Sequence, residues 1–392
     1  MRKNCSGFKK KFDVAVCGGG IAGISAAVTA AEAGMKTVLI EKSFTPGGLA
    51  VSGFINVFLP LCDGCGNQIL SGMPERLLKL SLRYSPFKLP PGWGGEPGKR
   101  ISRYAVKFSP GAFALSLEKL LLDSGVELFY DSLVSDVEFD DRSRIKAVYI
   151  ENFSGRGEIE ADFFIDATGN ASLSERAGVK VRSYTNNLSS WTLQSSLDKA
   201  ASASKFNDHE LLLDILKLGE SVRKLNRSQD SYCIADEHPT HSTMTEFVIS
   251  ERNLIRNYYE SENNRDSFPL AVANMPHMRM IRTVRGLDEV KNDASVIPEK
   301  IAGRLPDWRK TGIVYNIPLG AILTEQVTNL ILAGRIISAE YGDASEVVRV
   351  IPSAAFTGEI AGRTAVYSIQ KNRQPCNLTV EDISGLSPSF AV

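Results

Sequence analysis

The sequence predicts an α/β protein, in which a doubly wound sheet is assembled from separated stretches of chain and an α+β domain is inserted between them. Three observations carry this expectation. A strand, a glycine turn and a helix follow one another between Phe12 and Ala33. Two later apolar strands, one ending at Asp166 and one at Leu332-Ala333, also run into small-residue turns that contain a glycine. Between those two, from about Val181 to Gly312, the alternation of strand and helix stops.

Phe12 to Cys17 is short and mostly apolar, the pattern of a buried strand. Gly18, Gly20 and Gly23 then fall at the first, third and sixth positions of G-x-G-x-x-G, and Ile21 to Ala33 is Ala-rich and free of proline. In such a motif the first glycine permits the tight turn and the second lets a pyrophosphate approach the backbone. The third lets helix and strand pack closely, and the helix N-terminus, here Ile21 and Ala22, offers N–H groups and partial positive charge. Gly34 stops the helix, and Met35 to Ile40 is a second buried strand ending at Glu41, 23 residues after Gly18. A carboxylate there accepts hydrogen bonds from ribose hydroxyls and repels a 2′-phosphate. The order of strand, glycines, helix, strand and acid marks a dinucleotide site. It leaves open whether the dinucleotide is FAD or NAD.

At 392 residues the chain has room for two or three domains. Lys+Arg and Asp+Glu are balanced at 45 each, so the charge favours neither nucleic acid nor an anionic membrane as partner. The basic N-terminus (Arg2, Lys3, Lys9, Lys10, Lys11) lacks the apolar core of a signal peptide, and no later run has the length of a membrane span. The expectation is a cytoplasmic protein acting on a small molecule, with an electron donor or acceptor of unspecified kind. Six cysteines in a chain of this length make no disulfide framework.

Beyond Glu41, Lys42 leads into a loop whose Gly47-Gly48-Leu49 can lie flat against a planar ligand. Met73 to Tyr84 has helical spacing, and Pro86 to Gly98 reads as an irregular insertion. Ser109 caps a helix that starts at Pro110 and reaches Leu122. Val126 to Tyr130 is a strand, followed by a meander of Ser135 to Phe139, Ile145 to Asn152 and Glu158 to Ala161. Its turns fall at Asp140-Asp141 and Ser154-Gly155, and Phe163 to Asp166 then runs into Ala167-Thr168-Gly169-Asn170. The inserted segment predicts two amphipathic helices, Asp208 to Leu225 and Ser242 to Glu260, and strands at Leu270 to Met275 and Met280 to Val284. Ile313 to Pro318 and Leu330 to Ala333 return to strand, and Pro352 opens a helix to about Ile369. The expected division is therefore 1–180 and 313–392 for the dinucleotide-binding domain and 181–312 for the inserted substrate domain.

Gly18 to Gly23, Glu41, Gly47-Gly48, Asp166-Ala167-Thr168-Gly169 and Leu332-Ala333-Gly334-Arg335, in this order, resemble the FAD-dependent oxidoreductases of the glutathione-reductase-type fold. A bacterial branch of these resembles the chain more closely, through a loop like Val348 to Pro352 and an Arg-rich strand like Met278 to Gly286. The resemblance implies FAD, because NAD dehydrogenases do not bring the chain back for a third, C-terminal contact. It also implies residue roles. Gly18, Gly20 and Gly23 hold the pyrophosphate, Glu41 with Lys42 lies at the adenosine ribose, and Gly47, Gly48 and Leu49 lie beside the ribityl chain or ring. Val134 meets adenine through its backbone, Ala167, Thr168 and Gly169 follow the ADP half, and Gly334 and Arg335 face the pyrophosphate and ribityl chain. The helix beginning at Ile351-Pro352 points its N-terminus at the flavin N1–C2=O edge, where it would stabilise the negative charge of reduced flavin. Two positions depart from the pattern. The strand reads Met280-Ile281-Arg282-Thr283 where an acid and paired arginines are usual, and Asn170 stands where an acid often follows.

The implied activity is hydride transfer between bound flavin and a small organic substrate. Its rivals are an NAD-dependent dehydrogenase and a protein that holds FAD structurally. Arg349, Arg282 and Arg285 are candidates to clamp a substrate carboxylate, with structural ion pairs as their ordinary alternative. His277 is the candidate proton acceptor, with a packed histidine as its alternative. Cys62-Asp63-Gly64-Cys65 has redox spacing but lies 14 residues beyond Gly48, and buried or loop cysteines are the default. His238 and His241 have no nearby third ligand, so no metal site is expected.

Overall fold

The computed structural model describes residues 7–91, 93, 104–140, 143–184, 186–219, 233–234, 240–261, 266–379 and 381–382. Its first half runs β1 (Lys9–Cys17), α1 (Ile21–Glu32), β2 (Thr37–Ile40), the short β3 (Val57–Phe58), α2 (Met73–Ser81) and β4 (Val106–Lys107). Then come α3 (Pro110–Asp123), β5 (Glu127–Phe129), β6 (Leu133–Phe139), β7 (Ile145–Asn152), β8 (Gly155–Asp166) and the single-turn α4 (Ser172–Arg176). Five parallel strands form the centre of the main sheet in the order β5, β2, β1, β8 and β18 (Leu330–Leu332), and β7 and β6 extend it antiparallel from the first half of β8. The central strands read as continuous apolar runs because both of their faces are covered.

Between β8 and β18 the chain forms smaller units. β9 (Val181–Ser183) precedes β10 (Asn186–Asn187) and β11 (Ser189–Ser196), and α5 (Leu197–Phe206), β12 (Asp214–Gly219) and β13 (Cys233–Ile234) follow. α6 (His241–Glu260), β14 (Ser267–Val272), β15 (Arg282–Val284), β16 (Ile301–Pro306) and β17 (Val314–Pro318) complete the segment. β12, β11 and β14 form an antiparallel sheet. β9 pairs antiparallel with β15, so the chain departs at Val181 and comes back at Val284 side by side. After β18 come α7 (Asp343–Val348) and the long α8 (Ile351–Lys371).

Most elements stand where periodicity put them, and α3 starts at Pro110 with Ser109 Oγ accepting the Ala112 N–H at 3.4 Å. The helix expected over Asp208 to Leu225 is corrected. α5 ends at Asn207 in the left-handed region (φ 49°), one 3-10 turn spans His209–Leu212, and Asp214–Gly219 is strand. Pairing along β11, from Gln194 opposite Asp214 to Ser189 opposite Gly219, overrides the helical periodicity. Residues 220–225, the turn residue Asp141, most of the loop after Pro91 and His238 lie outside the described residues. The strand expected over Leu270 to Met275 is shifted to Ser267–Val272, and the separate runs Glu158 to Ala161 and Phe163 to Asp166 are one strand, β8.

α1 is buried nearly all round because it lies against both the sheet and α8. A Cβ on Gly358 would sit 2.1 Å from the Ala22 carbonyl oxygen, and one on Gly362 would sit 2.6 Å from that of Ala26. The two contacts advance by four residues on both helices, so α1 and α8 run parallel with their N-termini at the same end. Gly358→Ala should therefore force the helices apart and cost about 1–3 kcal/mol. Gly111→Ala, whose Cβ meets nothing within 4 Å, should be neutral or slightly stabilising. Thermal denaturation of the two variants checks this, and equal midpoints would refute the close packing.

Candidate functional site

The sheet register brings the ends of four strands together. Ile40, Cys17, Asp166 and Leu332 lie side by side on β2, β1, β8 and β18, a row of about 14 Å at ordinary strand spacing. Each strand then gives way to a residue named from the sequence: Glu41, Gly18, Ala167 and Gly334. Carboxyl ends of this kind are where open α/β sheets bind ligands.

The glycines divide by what surrounds them. Gly18 (φ 107°) packs on the Ala167 carbonyl, and a Cβ on Gly23 would lie 1.8 Å from the Gly18 oxygen, so both serve close backbone contact. Gly20 is different, because a Cβ there meets nothing within 4 Å. Gly47 (φ 108°) donates its N–H to the Gly19 carbonyl at 2.7 Å, which lays Gly47-Gly48 and the half-buried Leu49 beside the Gly20 turn. The buried Glu41 carboxylate accepts the N–H groups of Gly19 (2.6 Å) and Ser43 (2.8 Å), leaving one lone pair on each oxygen for a ligand. Lys42 is exposed. Val134 is buried on β6, and its neighbour Ser132 donates its N–H to the Glu41 carbonyl at 3.0 Å.

The turn after β8 is fixed by Asp166, which the sequence reading placed at the strand end and gave no role of its own. Its buried carboxylate takes bonds from the backbone and hydroxyl groups of Thr168 (3.0 and 2.7 Å) and of Ser174 (2.8 and 2.6 Å). The Thr168 hydroxyl also accepts the Ser172 N–H at 3.0 Å, so both donors of Thr168 are spent within the turn and only acceptors, its backbone carbonyl and one hydroxyl lone pair, remain. Gly169 (φ 73°) presents its carbonyl to Arg335 Nε at 2.6 Å. Gly334 (φ 79°) donates its N–H to Thr357 Oγ1 at 3.0 Å, tying the end of β18 to α8.

Neither α1 nor α8 carries an acid in its first turn, and neither N-cap supplies a side-chain bond. Both positive ends are thus left for an anion. Because Gly358 sits against Ala22, Ile351 and Pro352 lie about two turns, roughly 10 Å, farther along than the start of α1. The open Gly20 turn, the Glu41 lone pairs and two staggered helix ends suit an elongated cofactor with a pyrophosphate in its middle and an electron-accepting ring at one end.

The candidate catalytic residues do not all gather here. Arg282 donates to the Asn170 carbonyl at 3.0 Å and is ion-paired with Glu175. Arg285 is exposed. Arg349 is doubly bonded to Glu346, immediately before α8. Arg335 binds the carbonyls of Gly169 and Met278 (3.0 Å); burial, with a smaller push from Arg349, lowers it to about 10, so it stays a cation at neutral pH. Arg279, which the sequence reading passed over, is half-buried between Met278 and the strand, and burial and the Arg349 charge lower its pKa.

His277 is buried against Trp191, with ring centroids 5.2 Å apart. Its Nε2 is bonded to the Gly53 carbonyl, an acceptor only, so Nε2 carries the proton and Nδ1 keeps the open lone pair. Its backbone N–H goes to buried Glu251 at 3.0 Å. Cys62 is buried and Cys65 exposed, both as thiols, in a loop whose Asp63 carbonyl accepts the Gly312 N–H at 2.9 Å. Among the described residues no group of three His, Cys, Asp or Glu could hold a metal, and no helix is long and apolar enough to cross a membrane.

Burial, helped by Arg279, Arg335 and Lys217, lowers His277 from 6.5 to about 4 against the bond to the Gly53 carbonyl, and burial raises Glu251 from 4.5 to about 7 against the bond from the His277 N–H and the pull of Arg252. The neutral histidine contributes stability that is present above 6.5 and lost as the pH falls toward 4. The neutral acid contributes stability that is present below 4.5 and lost as the pH rises through 7. Between these values the two slopes oppose one another. Glu251→Gln should unmask the histidine, so that its thermal midpoint climbs more steeply than wild type from pH 4.5 to 6.5; parallel profiles would refute this.

A family model described as FAD dependent oxidoreductase matches residues 13–293 and 292–386. Protein FixC of Bradyrhizobium diazoefficiens is 26% identical over 181 residues, 44% of this chain, and the match spans only 40% of that curated relative. A solved geranylgeranyl bacteriochlorophyll reductase-like protein from Thermoplasma acidophilum is 14% identical, with 97% of this chain and 81% of that one covered and a TM-score of 0.48. For 3-ketosteroid-delta4-(5alpha)-dehydrogenase from Rhodococcus jostii RHA1 the identity is 13%, the coverage 93% and 99%, and the TM-score 0.43. The family match extends over nearly the whole chain: the protein belongs to the FAD dependent oxidoreductase family, with FAD as its cofactor.

Proposed function

We propose that this chain transfers hydride between FAD, held along the row of strand ends, and a small organic substrate. In this reading 1–180 and 313–392 make a glutathione-reductase-type FAD domain, and 181–312 is the inserted domain that faces the substrate. The observation that carries it is the shared register of Ile40, Cys17, Asp166 and Leu332, with a binding turn after each. The side-by-side departure and return of the chain at β9 and β15 supports the inserted domain.

Gly20, with the N–H groups of Ile21 and Ala22, holds the pyrophosphate, while Gly18, Gly23 and Ala167 keep that turn in place. Glu41 takes the ribose hydroxyls, and the Val134 backbone meets adenine. Thr168 and Gly169 line the ADP half through their backbones, and Gly334 with Arg335 closes its other side. Gly47, Gly48 and Leu49 flank the ribityl chain. Bound FAD supplies the atom that accepts or donates the hydride. The N-terminus of α8 at Ile351-Pro352 stabilises the negative charge that a reduced ring carries. His277, neutral at working pH and tied to the Gly53 carbonyl, positions the Ser52–Phe54 turn, which also accepts the Asn274 N–H at 3.2 Å through Ser52.

The purified protein should be yellow and release FAD on denaturation. Glu41→Gln removes a charge-assisted acceptor worth about 1.5–3 kcal/mol, so FAD affinity should fall roughly ten- to a hundredfold. A colourless protein that retains NAD would overturn the reading. Bound flavin that no reductant bleaches would reduce FAD to a structural group.

A further inference from the structure

We propose that a cleft between α6 and β11, walled by Glu251 and Ser190, binds the ammonium group of a primary amine. This goes beyond the hydride-transfer reading and does not depend on it. Phe247, Glu251 and Ile255 form the buried stripe of α6, so a carboxylate stands where helical periodicity calls for an apolar side chain. One turn farther along, the Tyr259 hydroxyl donates to Gln194 Oε1 at 2.7 Å and fixes how α6 lies on β11. Eight helix residues back from Tyr259 and four strand residues back from Gln194 each span roughly 12–13 Å, which brings Glu251 level with Ser190. Ser190, Thr192 and Gln194 alternate onto this face of β11 and are all buried. Glu251 and Ser190 line the same cleft, with His277 across from them.

The cleft has a volume of about 300 Å³ and opens to solvent beside the exposed Arg252, Val272 and Asn274. Glu251 is only 6% exposed, and among the described residues its one bond is the His277 N–H to Oε1 at 3.0 Å. Its Oε2 has no partner there, and neither has the hydroxyl of buried Ser190. Arg252, the next residue of α6, makes no ion pair with it. A carboxylate withdrawn from water with one oxygen idle is costly, which is why burial raises Glu251 to about 7. An ammonium removes that cost, because it brings one positive charge and three N–H donors to Oε2 and the Ser190 hydroxyl. Val248, Ala273 and Pro276 supply apolar wall for the alkyl part of the amine.

The test uses the whole chain as purified, n-butylammonium as the probe and n-butanol as its neutral isostere, with binding read by calorimetry in phosphate buffer. At about pH 8 wild type should bind n-butylammonium at least about tenfold more tightly than n-butanol, and Glu251→Gln, which can still accept the His277 N–H, should lose that preference. Ser190→Ala should keep the preference and bind the amine more weakly. In wild type the amine should also bind about tenfold less tightly at pH 6 than at pH 8, because Glu251 takes up a proton between them. Of the groups packed around Glu251, His277 is neutral above about 4, Arg252 keeps its charge, Asp214 of β12 accepts a bond from Gln194 at 2.9 Å, and Lys217 lies over Trp191 on the opposite face of the sheet. Equal binding of the two probes by wild type, no binding of the amine, an unchanged preference in Glu251→Gln, or equal amine affinity at the two pH values overturns the proposal. Should Glu251→Gln fail to fold, the pH step in wild type decides.

Discussion

Strand β8 is hydrogen-bonded to β1 and to β18 through the same three residues, Phe164, Ile165 and Asp166. Everything at the binding end of the sheet depends on that double pairing. A parallel strand fixes its neighbour's register along its length, so a central strand held on both sides sets where two distant pieces of chain stop. The ends of β1 and β18 are separated by more than 300 residues of sequence, and β8 makes them level. The buried Asp166 carboxylate then converts the end of β8 into a rigid turn, taking four bonds from Thr168 and Ser174. A buried charge satisfied so fully is a structural anchor rather than a reactive group.

The turns assembled in this way work mainly through backbone. Gly18, Gly23, Gly358 and Gly362 each stand where a Cβ would strike a carbonyl oxygen, and their absence of side chains is what brings sheet, α1 and α8 so close. Close parallel packing puts two positive helix ends on one side of the sheet at different heights. A dinucleotide is long and carries charge at its middle and, on reduction, at one end, so two staggered electrostatic sinks fit it better than one. Gly20 differs from these four in that a Cβ there would meet nothing within 4 Å.

Charge on the far side follows a separate logic. Arg282 and Arg335, from different parts of the chain, bind the consecutive carbonyls of Asn170 and Gly169 and pull the segment before β15 onto the turn after β8. Arginine suits this work because its fork stays charged when half-buried. His277 performs a comparable task without charge, its protonated Nε2 on the Gly53 carbonyl and its ring against Trp191, itself under Lys217 at 4.1 Å. The turns after β8 and at Gly53 are therefore joined to residues 277–282 at several points by polar groups that have few alternatives once buried.

Local chemistry was enough to read much of this from the sequence. The strand-glycine-helix motif, the acid at Glu41, the Pro110 and Pro352 helix starts and the three strand ends all depend on residues adjacent in the chain, where sterics and hydrophobic periodicity act directly. Neither the Asp214–Gly219 strand, which pairing with β11 imposes, nor the partners of the arginines could be read that way. Arg282, Arg285 and Arg349 look alike in sequence, yet the fold ties the first to Glu175 and Asn170, exposes the second and neutralises the third with Glu346. Sequence thus determined the glycine turns at the strand ends, because backbone conformation is a short-range property. Only the tertiary structure decided which arginines are spent on carbonyls and acids, because an ion pair is settled by which charges long-range packing brings together.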